Sequence, residues 1–149
     1  MVTGTCFSET GNDVICVDID AEKVKKLSAG EITMYEPGLN NLFLRNLKEE
    51  RLRFTTDLAE GIREAQIVFL ALPTPPGADG SADLRYVLGV AEQLGNLMKD
   101  YKVIVDKSTV PVGTAEKVHA AIALRYRGEF DVVSNPEFLR EGVAVEDFM

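Results

Sequence analysis

Cationic side chains are in short supply: 16 Lys and Arg stand against 24 Asp and Glu, a formal net charge of −8. A nucleic-acid binder draws much of its affinity from a basic face that neutralises phosphate, and the basic residues here are scattered among acids, so no DNA or RNA partner is expected. A small anionic ligand is still allowed, because a helix N-terminus and one or two cations can hold phosphate on an acidic protein. Cysteine occurs only as Cys6 and Cys16, with no CxxC pair and no His/Cys cluster. Neither a disulfide framework nor a zinc site follows from that pattern, and no metal is expected. Free thiols in apolar stretches usually serve as small buried hydrophobes. The single histidine, His119, lies beside a helical stripe on an expected solvent face and receives no role. No apolar run approaches the ~20 residues of a membrane helix. The opening Met1-Val2-Thr3-Gly4-Thr5 has neither the basic start nor the apolar stretch of a secretory signal. The expectation is therefore a cytoplasmic protein with no membrane partner.

What the chain does have is alternation between two hydrophobic periods. Asp13–Ile19, Gln66–Leu72, Lys102–Val105 and Phe130–Ser134 are short, β-branched and nearly all apolar. Such runs suit strands buried on both faces of a parallel sheet. Between them lie stripes at helical spacing: Ala21/Val24/Leu27, Leu58/Ile62/Ala65, Leu84/Val87/Ala91/Leu94/Met98 and Ala115/Val118/Ile122. Asp20, Thr56, Asp83 and Thr114 stand where N-caps belong, and Gly11, Gly30 and Gly128 where left-handed C-caps belong. With a first helix over roughly residues 2–10 and a Pro/Gly-marked turn at Glu36-Pro37-Gly38, the order predicts an α/β fold with a doubly wound parallel sheet.

A sheet of this kind ordinarily opens with a strand and a glycine-rich turn before its first helix. Here the chain opens inside that helix and closes at Phe148-Met149 within another, so residues 1–149 read as part of a domain. In the strand order 3-2-1-4-5-6 the first strand is central. Without it the strands around Val14–Val17 and Ile67–Leu72 would have open apolar edges, prone to pair with each other or with another chain.

Four segments sit where ligands of open α/β sheets bind, just beyond the carboxyl ends of strands. In Val14-Ile15-Cys16-Val17-Asp18, the Asp ends the second strand of the fold, where a Rossmann-like domain bonds an adenosine ribose diol; the alternative is a solvent-facing turn residue. Ala71-Leu72-Pro73-Thr74-Pro75-Pro76-Gly77 is a proline-stiffened loop that presents the Thr74 hydroxyl, or else a plain connection. Asp106-Lys107-Ser108-Thr109-Val110-Pro111-Val112-Gly113-Thr114 offers hydroxyls at the sheet edge; Thr109 could equally bond its own turn. Ser134-Asn135-Pro136-Glu137-Phe138-Leu139-Arg140-Glu141-Gly142 carries two acids four apart, which share one face if the segment is helical. Paired carboxylates at a crevice can act as bases or orient water, and the alternative is an acidic helix start. Tyr35-Glu36-Pro37-Gly38-Leu39 reads as a turn before a helix and by itself predicts no chemistry.

Taken together and literally, VICVDID, YEPGL, ALPTPP, KSTVPVGT and SNPEFLREGVAVEDF, in this order and spacing, resemble the UDP-glucose/GDP-mannose dehydrogenase family over essentially the whole chain. Members acting on GDP-mannose tend to read STV-x-PGT and NPEFLRES, so this chain resembles the UDP-glucose side. The resemblance implies a Rossmann-like NAD-binding domain that lacks its first strand and its GxGYVG-type turn. It also implies an absent linker helix and an absent C-terminal UDP-binding domain. The implied reaction is the NAD-dependent oxidation of UDP-glucose to UDP-glucuronate in two steps, through a cysteine-bound intermediate, by a homo-oligomer. Related nucleotide-sugar dehydrogenases acting on GDP-mannose or UDP-N-acetylmannosamine, and a non-catalytic nucleotide-binding module, are the alternatives.

By the same resemblance, Asp18 would hold the adenosine ribose with Lys23 beside it, and Thr74, Thr109 and Glu141 would contact NAD. Thr109 would also place a catalytic water, and Glu137 and Glu141 would flank the reacting carbon as base or water activator. Glu137, Phe138, Leu139, Arg140 and Glu141 would line the UDP-sugar pocket, the middle three through their backbone. The family's nucleophilic cysteine and catalytic lysine fall beyond residue 149, and neither Cys6 nor Cys16 matches the nucleophile. The chain alone is expected to be inactive.

Overall fold

The computed structural model describes residues 1–76 and 82–149, which form two compact units, Met1–Gly61 with Phe138–Met149, and Ile62–Glu137. Gly77 of the proline-rich loop lies outside the described residues. The architecture is α/β, with every strand pair parallel. Among the described residues no helix is long and apolar enough to cross a membrane.

The first unit runs α1 (Val2–Glu9), β1 (Val14–Val17), α2 (Ala21–Ser28), α3 (Leu39–Lys48) and β2 (Leu52–Thr55) into α4 (Leu58–Ile62), and it regains the chain at α7 (Ala144–Phe148). β1 and β2 pair in parallel from Val14 opposite Leu52 to Val17 opposite Thr55. Leu27, Phe43 and Leu52 form the core, with Val14, Cys16, Ile32, Leu47 and Phe54 packed against it. α1 lies close on β1 because Gly4 has no side chain: a Cβ there would meet the Cys16 Sγ at 2.7 Å. Asp20 caps α2 as expected, its side chain accepting from the Lys23 N–H.

The second unit carries β3 (Ile67–Leu70), α5 (Arg85–Leu97), β4 (Val103–Asp106), α6 (Thr114–Ala123) and β5 (Asp131–Ser134). Its sheet has the order β3-β4-β5. The predicted stripe on α5 is borne out: Val87, Ala91, Leu94 and, just past its end, Met98 are buried. Gly95 lets α5 and α6 approach closely, since a Cβ there would stand 2.7 Å from the Ile122 carbonyl oxygen.

Several expectations are corrected. β2 lies outside the expected strands because Arg53 breaks its apolar run; Leu52 and Thr55 are buried while Arg53 is exposed. Burial on both faces holds only for β4, which is flanked on each side by a strand, whereas β1, β3 and β5 are edge strands and more exposed. Among the described residues β1 pairs with β2 and ends the first unit's sheet, and β3 pairs with β4 and ends the second's. Cap positions move by a residue. Asp57, not Thr56, accepts from the first turn of α4. Leu84 is the N-cap of α5, although Asp83 still accepts from the Arg85 N–H. Gly113 is the N-cap of α6, and Thr114 instead donates to the Pro111 carbonyl. Gly11 and Gly30 are left-handed as expected; Gly128 is not.

Candidate functional site

In the first unit, Asp18 leaves the end of β1 with its N–H bonded to the Thr55 carbonyl at 3.1 Å. Its carboxylate accepts from the Asp20 N–H at 3.1 Å and from the Lys23 ammonium at 2.5 Å. Burial pushes the Asp18 pKa up, but the Lys23 and Asp20 hydrogen bonds outweigh it and hold the group below its ordinary value. A carboxylate offers about four lone-pair positions, so two acceptors remain for a pair of ligand hydroxyls. The same fixed negative charge repels a phosphate on either hydroxyl. Thus Asp18 and Lys23, put five residues apart by the strand–turn–helix geometry, do come together.

The other strand ends lie level with one another. Leu70 is opposite Asp106, and Asp106 is opposite Ser134, so the segments after β3, β4 and β5 emerge from one edge of a parallel sheet. Ser108 ties the first two of these together. Its hydroxyl accepts from the Leu72 N–H at 3.0 Å and lies 2.9 Å from the Leu72 carbonyl and 3.2 Å from that of Leu70. Thr74 then donates to the Thr109 carbonyl at 3.0 Å. Thr74 and Thr109, forecast separately, are therefore coupled through the backbone, and Thr109 keeps its own exposed hydroxyl for other partners.

Asp106 is buried at the end of β4, with one oxygen near the Ser108 N–H and the other, Oδ2, without a hydrogen-bond partner. Burial pushes its pKa up. Next to it, Lys107 forms an ion pair with Glu137 from the segment after β5. Burial pushes the Lys107 ammonium down.

The segment from Asn135 to Arg140 is neither helix nor strand, so the helical-face argument for Glu137 and Glu141 does not hold. In the first unit, Phe138 is 86% exposed and Leu139 half-buried. The Arg140 N–H donates to Asp147 at 3.0 Å and its guanidinium grips the same carboxylate, so that backbone donor is already engaged. Glu141 is exposed. Gly142, left-handed at φ 87°, turns the chain into α7.

Two positions in or beside the site, Glu36 and Lys107, carry no role from the sequence. Glu36, in the YEPGL turn, is buried and accepts from the N–H groups of Gly142 at 3.1 Å and Ala144 at 2.7 Å. It anchors the turn that follows Glu141 across more than a hundred residues, a partnership no local pattern could reveal. Lys107 has no part in the sequence expectation, and Ser108 only that of a hydroxyl at the sheet edge; the polar run directly after a buried strand is the available signal. Cys6 is buried and Cys16 partly so, with burial pushing both thiols up. His119 is exposed and stacks on Phe130. The open cavity of about 500 Å³ lined by Tyr101, His119, Tyr126 and Phe130 lies at the amino ends of β4 and β5, at the opposite end of those strands from Ser108 and Glu137.

A family model described as the UDP-glucose/GDP-mannose dehydrogenase family, NAD binding domain, matches residues 1–149. UDP-glucose 6-dehydrogenase of Pseudomonas aeruginosa is 52% identical over 99% of this chain and 34% of its own length. UDP-glucose 6-dehydrogenase TuaD of Bacillus subtilis is 50% identical over 100% of this chain and 33% of its own. The chain thus spans about a third of the length of these curated relatives. Among solved structures, a UDP-glucose dehydrogenase from Pyrobaculum islandicum superposes with a TM-score of 0.93 at 42% identity, covering 99% of this chain and 35% of that one. A GDP-mannose dehydrogenase from Pseudomonas aeruginosa gives 0.88 at 30%, covering 99% and 36%. With parallel strands, an acid held ionised after β1 and polar segments at the strand carboxyl ends, the chain belongs to the UDP-glucose/GDP-mannose dehydrogenase family, as its NAD-binding domain.

Proposed function

We propose that this chain is the cofactor-binding part of an enzyme that oxidises UDP-glucose to UDP-glucuronate with two molecules of NAD. The observation that carries the reading is the coupled pair of loops after β3 and β4, with Glu137 held beside them by Lys107. High identity to two UDP-glucose 6-dehydrogenases supports the choice of sugar.

In this reading Asp18 accepts from the adenosine ribose hydroxyls and Lys23 keeps it ionised, which favours NAD over its 2′-phosphorylated form. Thr74 and Thr109 contact the cofactor, and Glu141 does so from the turn anchored by Glu36. NAD, when bound there, would supply the hydride acceptor for both oxidations at the sugar C6, and water would supply the second carboxylate oxygen. Thr109 and Glu137 orient that water, Glu137 taking a proton from it. Glu137, Phe138, Leu139, Arg140 and Glu141 border the nucleotide-sugar pocket.

The test uses the gene's full-length product, with UDP-glucose, GDP-mannose and UDP-N-acetylmannosamine supplied in turn with NAD. UDP-glucose should yield two NADH per sugar. Asp18→Asn should raise the KM for NAD with kcat little changed, as loss of uniform binding does, while Thr109→Ala and Glu137→Gln should lower kcat by about 100-fold or more, the scale of a lost acid–base group. Turnover of GDP-mannose in preference to UDP-glucose would overturn the choice of sugar. Tight NAD binding without turnover of any sugar would favour a non-catalytic binding module.

A further inference from the structure

We propose that Lys107 is a positioning residue for Glu137, its ammonium fixing the place of that carboxylate at the carboxyl edge of the β3-β4-β5 sheet. The inference rests on the reading of Glu137 as a group that acts on substrate.

The two partners are unequal in how firmly they are held. Lys107 begins where β4 ends, and its N–H bonds the Leu70 carbonyl at 3.1 Å, extending the sheet ladder by one residue. Glu137 sits in a segment with no regular structure, tied to the sheet through the Asn135 N–H, which donates to the Asp106 carbonyl at 2.9 Å. The lysine root is therefore part of the sheet, while the glutamate hangs from a loop.

Burial is unequal as well: the Lys107 side chain is 11% exposed and that of Glu137 35%. An ammonium this far from water is costly unless an anion sits on it, and burial does push Lys107 down. The adjacent acid is not that anion. Asp106 turns one oxygen toward the Ser108 N–H, leaves the other unpartnered, and is itself pushed up toward its neutral form by burial. Glu137 is the carboxylate paired with Lys107. The pairing serves both groups: it gives the buried ammonium a counter-charge and gives a loop-borne acid one fixed position. Glu141, the other candidate acid, lies in a turn anchored instead by Glu36.

A double-mutant cycle in the full-length protein, with UDP-glucose and NAD, decides the matter. Lys107→Met should lower kcat roughly tenfold, a coupling of ordinary size for groups in direct contact. Lys107→Arg, which keeps the charge, should recover most of that loss. In the Glu137→Gln background, Lys107→Met should cost nothing further. Should the methionine variant fail to fold, Lys107→Gln carries the same cycle with a polar, uncharged head. Equal fold-losses in both backgrounds would overturn the inference alone, since Lys107 would then act independently of Glu137. An unchanged turnover in Glu137→Gln would overturn the reading of Glu137 and the inference together.

Discussion

Two buried charges of the second unit show how one residue type can be satisfied and another left short. Lys102 is buried, yet its ammonium donates to the Ala65 carbonyl at 2.7 Å and pairs with Asp100 at 2.7 Å. Asp106 is as deeply buried and has an unpartnered oxygen. A carboxyl whose folded pKa is raised binds its proton more readily folded than unfolded. Its contribution to stability is therefore least unfavourable below the ordinary carboxylate value of 3.8 and worsens as pH rises through the raised pKa. Asp106→Asn removes the charge, keeps an acceptor for Ser108 and puts a donor at the vacant position. It should raise stability at neutral pH by about 1 kcal/mol because the buried charge is gone, with the gain shrinking in acid. Urea unfolding at pH 7 and pH 4 checks this, and an equal gain at both would refute the electrostatic cause. The motif wording made this carboxyl visible, but not its burial. A residue's neighbours across a sheet come from segments dozens of positions away.

At the scale of elements, the sharpest constraint is the contact of α5 with α6. The helical stripe marked which face of α5 is buried, and the structure agrees. It did not mark Gly95, whose missing side chain leaves room for the Ile122 carbonyl. Gly95→Ala gains helix propensity yet must push the two helices apart, so a net loss of about 1–3 kcal/mol is expected, as for overpacking. A melting temperature unchanged or raised would show that α6 yields without cost. The turn into α7 is a second case. Arg140 holds Asp147 ionised and lowers its pKa to about 2 through hydrogen bonds, so this link persists above the ordinary carboxylate value and is lost as pH falls through about 2. Strand β2 escaped sequence reading because an edge strand with one wet face need not be apolar throughout.

On the scale of the whole molecule, the described chain has two parallel sheets, with β1 at an edge of one and β3 at an edge of the other. Both strands are apolar, and Val17 and Ile67 are 38% and 54% exposed. Such edges recruit further strands. The 149-residue chain studied alone should therefore grow in mean mass with concentration in size-exclusion chromatography with light scattering. A monomer at every concentration would show that the edges are protected. Millimolar NAD should raise the melting temperature if Asp18 binds it in this chain, because a ligand stabilises only the state it binds.

The sequence by itself determined the α/β class, the parallel pairing implied by its alternation, the place of Asp18 after a strand, and the family. These rest on periodicity and short motifs, which are local. It also marked Thr74, Thr109, Glu137 and Glu141 by their place just beyond strand ends, while their separate roles came only through family resemblance. Tertiary structure alone decided that Ser108 couples the loops of Thr74 and Thr109, that Lys107 meets Glu137, and that Glu36 anchors the turn after Glu141. It also decided that Glu137 and Glu141 share no helix. Each of the three contacts joins groups 30 to more than 100 residues apart, and such separations are bridged only when a parallel sheet sets its strand ends level and the core closes around them.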